Sequence, residues 1–352
     1  MRGKGRVFLI IWASVMTLIV LVMAGFEAVR FFGKSNLSSK SATSTPMLVQ
    51  GEEPVSESAG VAWQSDWVRY DGSVYDYNEN ITTFLIMGID KKDEVVTPVA
   101  EGMDGGQADA LFLLVLNPDE ETIKIIGINR NSMTNVDIYD EYGRYQNTIV
   151  AQIAIQHGFG DGMEKSCEYQ VKAVSSMFYQ LPIHGYAAIN MSAIPEINDQ
   201  IGGVDVDVIE DLTKWDKELY EGAQVHLTGE QAFTYLKCRD MSESGGSDKR
   251  LERQRQYLNA FIDVAREKSL QDPNAAVELF TAIKDKMVTD ITVDEISYLA
   301  PDLTKYKFDD TDFKMIKGKT QINDIYDEFI VDDDDLYKTI IETFYKKIDY
   351  LD

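Results

Sequence analysis

The sequence is poor in metal-binding residue types and in positive charge. It holds three histidines (His157, His184 and His226) and two cysteines (Cys167 and Cys238) in 352 residues. Histidines so scattered give no zinc spacing, and two distant cysteines give no cysteine-rich metal site. Lysine and arginine total 34 against 59 acids, a net charge of −25. Sequence-independent nucleic-acid binding needs a cationic surface, so this composition excludes it. No repeat at a period of about 20–50 residues is visible. The two cysteines could pair in an oxidising exterior. Because Cys238 lies between two cations, two free and buried thiols are the favoured expectation.

What is present is a chain 44% hydrophobic, long enough for one large domain or two small ones. Its charge is uneven: residues 1–50 carry six basic residues and one acid, and the acids dominate the remainder. Val7–Phe26 is an uncharged apolar run of 20 residues. At about 1.5 Å per residue it spans the roughly 30 Å hydrocarbon core of a bilayer. A cleaved signal peptide is the alternative, but its apolar core is usually only about 7–15 residues. Arg2, Lys4 and Arg6 precede the run and favour a cytoplasmic N-terminus. The expected layout is a cytoplasmic tail (1–6), a transmembrane helix (7–26), a flexible Ser/Thr/Pro-rich linker (27–65), a core (66–270) and a C-terminal helical extension packed on the core (271–352).

Beyond the linker, strand and helix signals alternate, which predicts an α/β fold with a central mixed sheet flanked by helices. Ile81–Ile89 and Ala110–Leu116 read as buried strands. Thr122–Ile128 follows an Asn-Pro-Asp-Glu-Glu turn and reads as the second arm of a hairpin. Val204–Ile209 alternates strictly. Met163–Tyr179 sets Val171, Val174, Met177 and Phe178 on one helical face. Thr228-Gly-Glu-Gln231 is a capping box, and Ser247 or Asp248 can cap a helix to about Lys268. From Asp272, two or three helices and one strand near Phe313–Ile316 are expected. The acids Asp332–Asp335 read as a helix start, since they lack the glycine and spacing of a calcium loop.

Candidate chemistry gathers at strand ends. Asp90 follows one apolar strand and Asp109 precedes the next. Two carboxylates meeting there would suit Mg²⁺ completed by phosphate oxygens; the alternative is that each serves a turn. Six cations fall between Lys237 and Arg255. Arg250, Arg253, Gln254 and Tyr257 share a helix face, opposite Leu251, Leu258, Ile262 and Ala265, which are expected to pack on the core. Cations in a first helical turn oppose the dipole, and a bound anion would reconcile them. Arg130 closes the third strand.

These pieces match a family in order: FLIMGID (84–90), ADALFLLVLNPDEETIKIIGINRNSM (108–133), AQIAIQHGFGDG (151–162), AINMSAIPEINDQIGGVDVDV (188–208), GAQVHLTGEQAFTYLKCRD (222–240) and SDKRLERQRQYL (247–258). The chain resembles the LytR-CpsA-Psr proteins of bacterial envelopes. The resemblance implies a membrane-anchored phosphotransferase that moves a glycopolymer from a polyprenyl-pyrophosphate carrier onto peptidoglycan, outside the cell membrane. It implies Mg²⁺ on Asp90 and Asp109, and pyrophosphate held by Arg130, Lys237, Arg239, Arg250 and Arg253. Asp109, Arg130, Arg239, Arg250 and Arg253 are the implied catalytic set; Lys237, Gln254 and Gln107 are assigned to substrate binding. Asp109 is the candidate base. The polyprenyl tail would lie in an apolar tunnel between sheet and helices. Family members usually carry Arg at position 107, an acid at 131 and Arg at 237, where this chain has Gln107, Asn131 and Lys237. Two other readings stay open: a weakly active or inactive polyprenyl-phosphate-lipid-binding scaffold, and a hydrolase of the carrier pyrophosphate.

Overall fold

A computed structural model describes residues 31–37, 39–40, 45–48, 63–64, 66–91, 99, 105–238, 246–272, 274–303, 305–322 and 326–348. The expected span at 7–26 and Arg239 lie outside the described residues. Among the described residues no helix is long and apolar enough to cross a membrane.

Six strands build a mixed central sheet: β3 (Thr82–Ile89), β4 (Ala108–Asn117), β5 (Thr122–Ile128), β8 (Gly185–Asn190), β11 (Met287–Thr289) and β12 (Phe313–Met315). Their order is β11-β8-β3-β4-β5-β12. The β3–β4 and β4–β5 pairs are antiparallel, and β3–β8 is parallel. The β4–β5 hairpin is set by its turn: Asn117 Oδ1 accepts the N–H groups of Asp119 at 3.0 Å and Glu120 at 3.3 Å.

Period-two alternation gives the sheet two apolar faces. One packs on α2 (Glu164–Met177) and α8 (Asp333–Phe344), with Leu85, Leu113, Val174, Phe178, Ile340 and Phe344 all at 0% exposure. The acidic run starts α8 as expected, with Asp332 accepting from the N–H groups of Asp334 and Asp335. The opposite face carries Phe84, Leu116 and Ile123 and meets α6 (Ala275–Ile283) and α7 (Val293–Leu303). A second, smaller core joins α3 (Ile194–Ile201), α4 (Gly229–Lys237) and α5 (Gly246–Gln271) to the ribbon β9 (Val204–Asp207) and β10 (Gln224–Leu227). Thr228 and Gln231 form the expected capping box on α4.

Three smaller strand pairings complete the fold. They are the sheet β1 (Val68–Tyr70), β2 (Ser73–Tyr77) and β15 (Tyr345–Lys347), and the ribbons β6 (Met133–Tyr139) with β7 (Tyr145–Gln152) and β13 (Gly318–Ile322) with β14 (Asp327–Val331). The segment after residue 270 is thus woven into the core. It supplies β11 and β12 to the central sheet, each three residues long; β12 is the strand expected near Phe313–Ile316, whereas β11 was not expected.

The expected flexible linker differs where it is described. Residues 31–37 and 39–40 are helical, forming α1. Leu37 and Leu48 are buried, and Met47 N–H donates to Tyr179 O at 2.6 Å. Ser-rich composition speaks against a self-sufficient core, yet a few apolar side chains suffice to dock on one that already exists.

Candidate functional site

The site is a product of strand register. Ile89 pairs with Ala108, and Asp90 N–H donates to Gln107 O at 3.1 Å. Asp90 and Asp109 therefore share one end of the sheet. Leu111 pairs with Ile128, so β5 returns Arg130 to that same end. Gly106, at φ 83°, takes the left-handed turn into Gln107. His157 Nδ1 donates to Gly106 O at 3.1 Å and fixes that turn. Burial lowers the His157 pKa from 6.5 to about 4, so the imidazole is neutral at pH 7.

Three cations meet the two carboxylates. Arg130 Nη1 pairs with Asp109 Oδ1. Arg130 Nη2 donates to Gln107 Oε1 at 2.6 Å. Arg250 Nη1 lies 3.8 Å from Asp109 Oδ2, and Lys237 Nζ lies 3.2 Å from Asp90 Oδ1. Arg130 Nε is buried with no hydrogen-bond partner among the described residues. Cations thus outnumber acids, an arrangement that attracts anions with phosphate-like geometry. Gln107, where a cation is usual in the resembled family, instead gives Arg130 an acceptor and orients its fork.

Arg253 departs from its expected place. It was assigned to the anion, but it is fully buried at 0% exposure. Its Nη1 and Nη2 donate to the carbonyls of Tyr235 and Cys238, at the C-terminal end of α4. Its Nε lies 2.9 Å from Glu210 Oε2, an ion pair without hydrogen-bond alignment. Burial lowers the Arg253 pKa, and Glu210 acts against that. Gln254 Nε2 donates to Leu236 O at 3.3 Å from the same side. Arg253 and Gln254 therefore clamp the last turn of α4, where free carbonyls carry the negative end of the helix dipole. They hold the segment that bears Lys237. The expected faces of α5 are accordingly exchanged: Arg250, Arg253, Gln254 and Tyr257 are buried, while Leu251, Leu258, Ile262 and Ala265 are half-buried. Compensation by Glu210, the carbonyls and Asp109 makes a buried basic stripe tolerable.

Glu210 and Gln152 were not singled out from the sequence; Asn131 was noted only as a departure from the resembled family, without its partners. Gln152 Nε2 donates to Asn131 Oδ1 at 3.0 Å and to Asp327 O at 2.7 Å, and Phe329 N–H donates to Asn131 O at 2.9 Å. The residue after Arg130 is thus clamped by β7 and β14. The need for an acid near a buried arginine is a general signal; its position in the chain is not.

Asp90 and Asp109 are hard oxygen donors. Among the described residues no group of three or more His, Cys, Asp or Glu could hold a metal. The donor set fits Mg²⁺ whose other ligands come from phosphate and water. Both cysteines are free; Cys167 is buried as expected, whereas Cys238 is only half-buried. Burial raises both thiol pKa values.

A cavity of about 220 Å³ opens on the sheet face away from α2 and α8, lined by Leu114, Leu116, Ile123, Phe261, Ile262 and Leu279 among others. Two elements connect it to the charged end. Asp109 to Leu114 along β4 is about 17 Å at strand rise. Arg250 to Phe261 along α5 is also about 17 Å at helical rise.

A curated relative, the polyisoprenyl-teichoic acid–peptidoglycan teichoic acid transferase TagU of Bacillus cereus, is 27% identical over 215 residues, covering 61% of this chain and 62% of the relative. The chain therefore aligns with a little under two thirds of that relative's length. The fold is similar to the crystal structure of Bacillus subtilis TagV, with TM-score 0.58 and 23% identity, covering 75% of this chain and 97% of that one. It is also similar to protein gbs0355 from Streptococcus agalactiae, with TM-score 0.60 and 18% identity, covering 75% and 86%. The LytR_cpsA_psr family model matches residues 43–343, which hold the sheet, the charged strand ends and the cavity, and the chain belongs to that family.

Proposed function

We propose that this protein is a membrane-anchored phosphotransferase that moves a glycopolymer from a polyprenyl-pyrophosphate carrier to peptidoglycan, with its N-terminus in the cytoplasm and its core outside. The observation that carries this reading is the convergence of Arg130 and Arg250 on Asp109, on strand and helix elements that also line an apolar cavity. An anion grip joined to an apolar chamber suits a substrate with a pyrophosphate head and a long hydrocarbon tail. The named activity of the TagU relative points the same way.

Phosphoryl transfer needs positioning and charge neutralisation more than a covalent nucleophile. Arg130 and Arg250 hold the pyrophosphate, and Lys237 adds a charge beside Asp90. An acceptor sugar hydroxyl attacks the phosphorus that bears the glycopolymer. The new P–O bond forms as the bond to the bridging oxygen breaks, and polyprenyl phosphate leaves with that oxygen. Asp109 Oδ2, only loosely paired at 3.8 Å from Arg250, takes the hydroxyl proton. Asp90 and Asp109 would hold Mg²⁺, which supplies charge neutralisation on the phosphate oxygens. Arg253 and Gln254 position Lys237 without touching substrate.

The test incubates the full chain in detergent with a lipid-pyrophosphate sugar donor, a peptidoglycan oligomer and Mg²⁺. Transfer to the oligomer is expected. Release of free phosphosugar without acceptor would identify a hydrolase, and tight lipid binding without turnover would identify a scaffold; either result overturns the proposal.

A further inference from the structure

The first helix makes contacts that the transfer chemistry leaves unused. α1 buries Gly33 and Leu37, one turn apart. A side-chain carbon on Gly33 would overlap Asp294 O and approach Tyr298 Cβ to 2.9 Å, so only glycine lets α1 sit this close to α7. Leu37 packs with Leu116, Ile123 and Tyr306, and all three of these also line the cavity. Lys40 Nζ donates to Asp290 O at 2.6 Å and to Glu295 Oε2 at 3.2 Å, and lies 3.1 Å from Glu295 Oε1. Glu295 is at 0% exposure. A buried carboxylate stripped of its cation is strongly destabilising, so Lys40 latches α1 to the core.

The outer side of α1 has a different chemistry. Phe31 and Phe32 are 69% and 58% exposed, beside exposed Lys34. They begin five residues after the uncharged run Val7–Phe26. Exposed aromatic rings beside a lysine suit a bilayer surface.

We infer that α1 is a membrane-docking strap that holds the cavity wall against the outer surface of the bilayer, so that a long-chain lipid enters the cavity from the membrane without crossing water. This rests on the anchor and the lipid carrier of the proposed function. Chain length supports it. Phe26 to Phe31 spans at most about 17 Å extended, and Phe31 to Leu37 about 9 Å as helix. The cavity wall at Leu37 then lies within about 26 Å of the hydrocarbon edge. A free tether over 27–65 would let the core wander about 35 Å in root-mean-square terms and much further at full extension.

The test uses the full chain in lipid vesicles. Amide hydrogen exchange reads docking. Energy transfer from a dye at Gln271→Cys, with Cys238→Ser, to a headgroup-labelled lipid reads the distance of the core from the membrane; Gln271 is exposed beside the cavity-lining Ser269. The wild type is expected to protect the amides of 33–40 and to show strong transfer. Gly33→Val loses both while β3–β5 amides stay protected. Lys40→Ala weakens both, and Lys40→Arg restores them. Unprotected 33–40 amides in the wild type, or equal energy transfer in wild type and both disruptive variants, overturns the strap. Turnover is a separate readout: strap variants lose activity on a vesicle-embedded long-chain donor and keep it on a soluble short-chain donor. A wild type inactive on both donors defeats the transferase reading and leaves the exchange and distance results to decide the strap.

Discussion

The two faces of the central sheet are made from the same kinds of residue and end in different states. Along β4, Leu111, Leu113 and Val115 turn to α2 and α8 and are exposed by 1%, 0% and 1%. Phe112 and Leu114, between them, turn the other way and are only half-buried, with Leu114 on the cavity wall. Apolar area on the first face contributes directly to folding stability, because every atom meets a partner. On the second face part of it is left without a partner, and close-packed proteins rarely leave such space idle. One alternating strand thus packs a closed core on one side and borders an open cavity on the other.

Substitutions along β4 break this comparison most sharply. Leu113→Ala is expected to cost about 3 kcal/mol in a denaturant titration, as a fully packed leucine does. Acidification has an effect of similar size, and it belongs to the packed architecture. Burial lowers both His157 and His184 from 6.5 to about 4. The unfolded chain therefore binds more protons between about pH 6.5 and 4, and stability falls as pH is lowered through that window. Each histidine contributes a slope approaching about 1.4 kcal/mol per pH unit. Urea midpoints between pH 7 and 5 should fall less steeply in His157→Gln and His184→Gln than in wild type. Leu114→Ala is expected to cost the least, about 1 kcal/mol, because its side chain already borders empty space. A loss equal to that of Leu113→Ala would mean that the two faces are packed alike.

The sequence made the local features readable. The β4–β5 hairpin followed from its turn residues, the start of α4 from its capping box, and the start of α8 from its acids. Each depends on residues a few positions apart. Of the residues named by the family resemblance, Arg130 and Arg250 lie beside Asp109 in the structure. The α5 stripe was misread because periodicity defines two faces without saying which is buried, and Glu210, the acid that makes Arg253 tolerable inside, lies far away in the sequence. The docked α1 escaped detection for a related reason: its hold on the core rests on Gly33, Leu37 and Lys40 within a polar stretch. The strand expected near Phe313–Ile316 is β12, whereas β11, three residues long, left no signature.

Chain-length dependence of lipid binding tests the central claim most directly. Affinity of the full chain for polyprenyl phosphates of increasing length should be measured for wild type and for Leu114→Trp, which fills the cavity beyond Asp109. The account predicts that wild-type affinity rises with chain length, and that the variant binds long and short lipids alike through the cations that remain. A wild type indifferent to chain length, or a filled cavity that leaves the dependence intact, would contradict it.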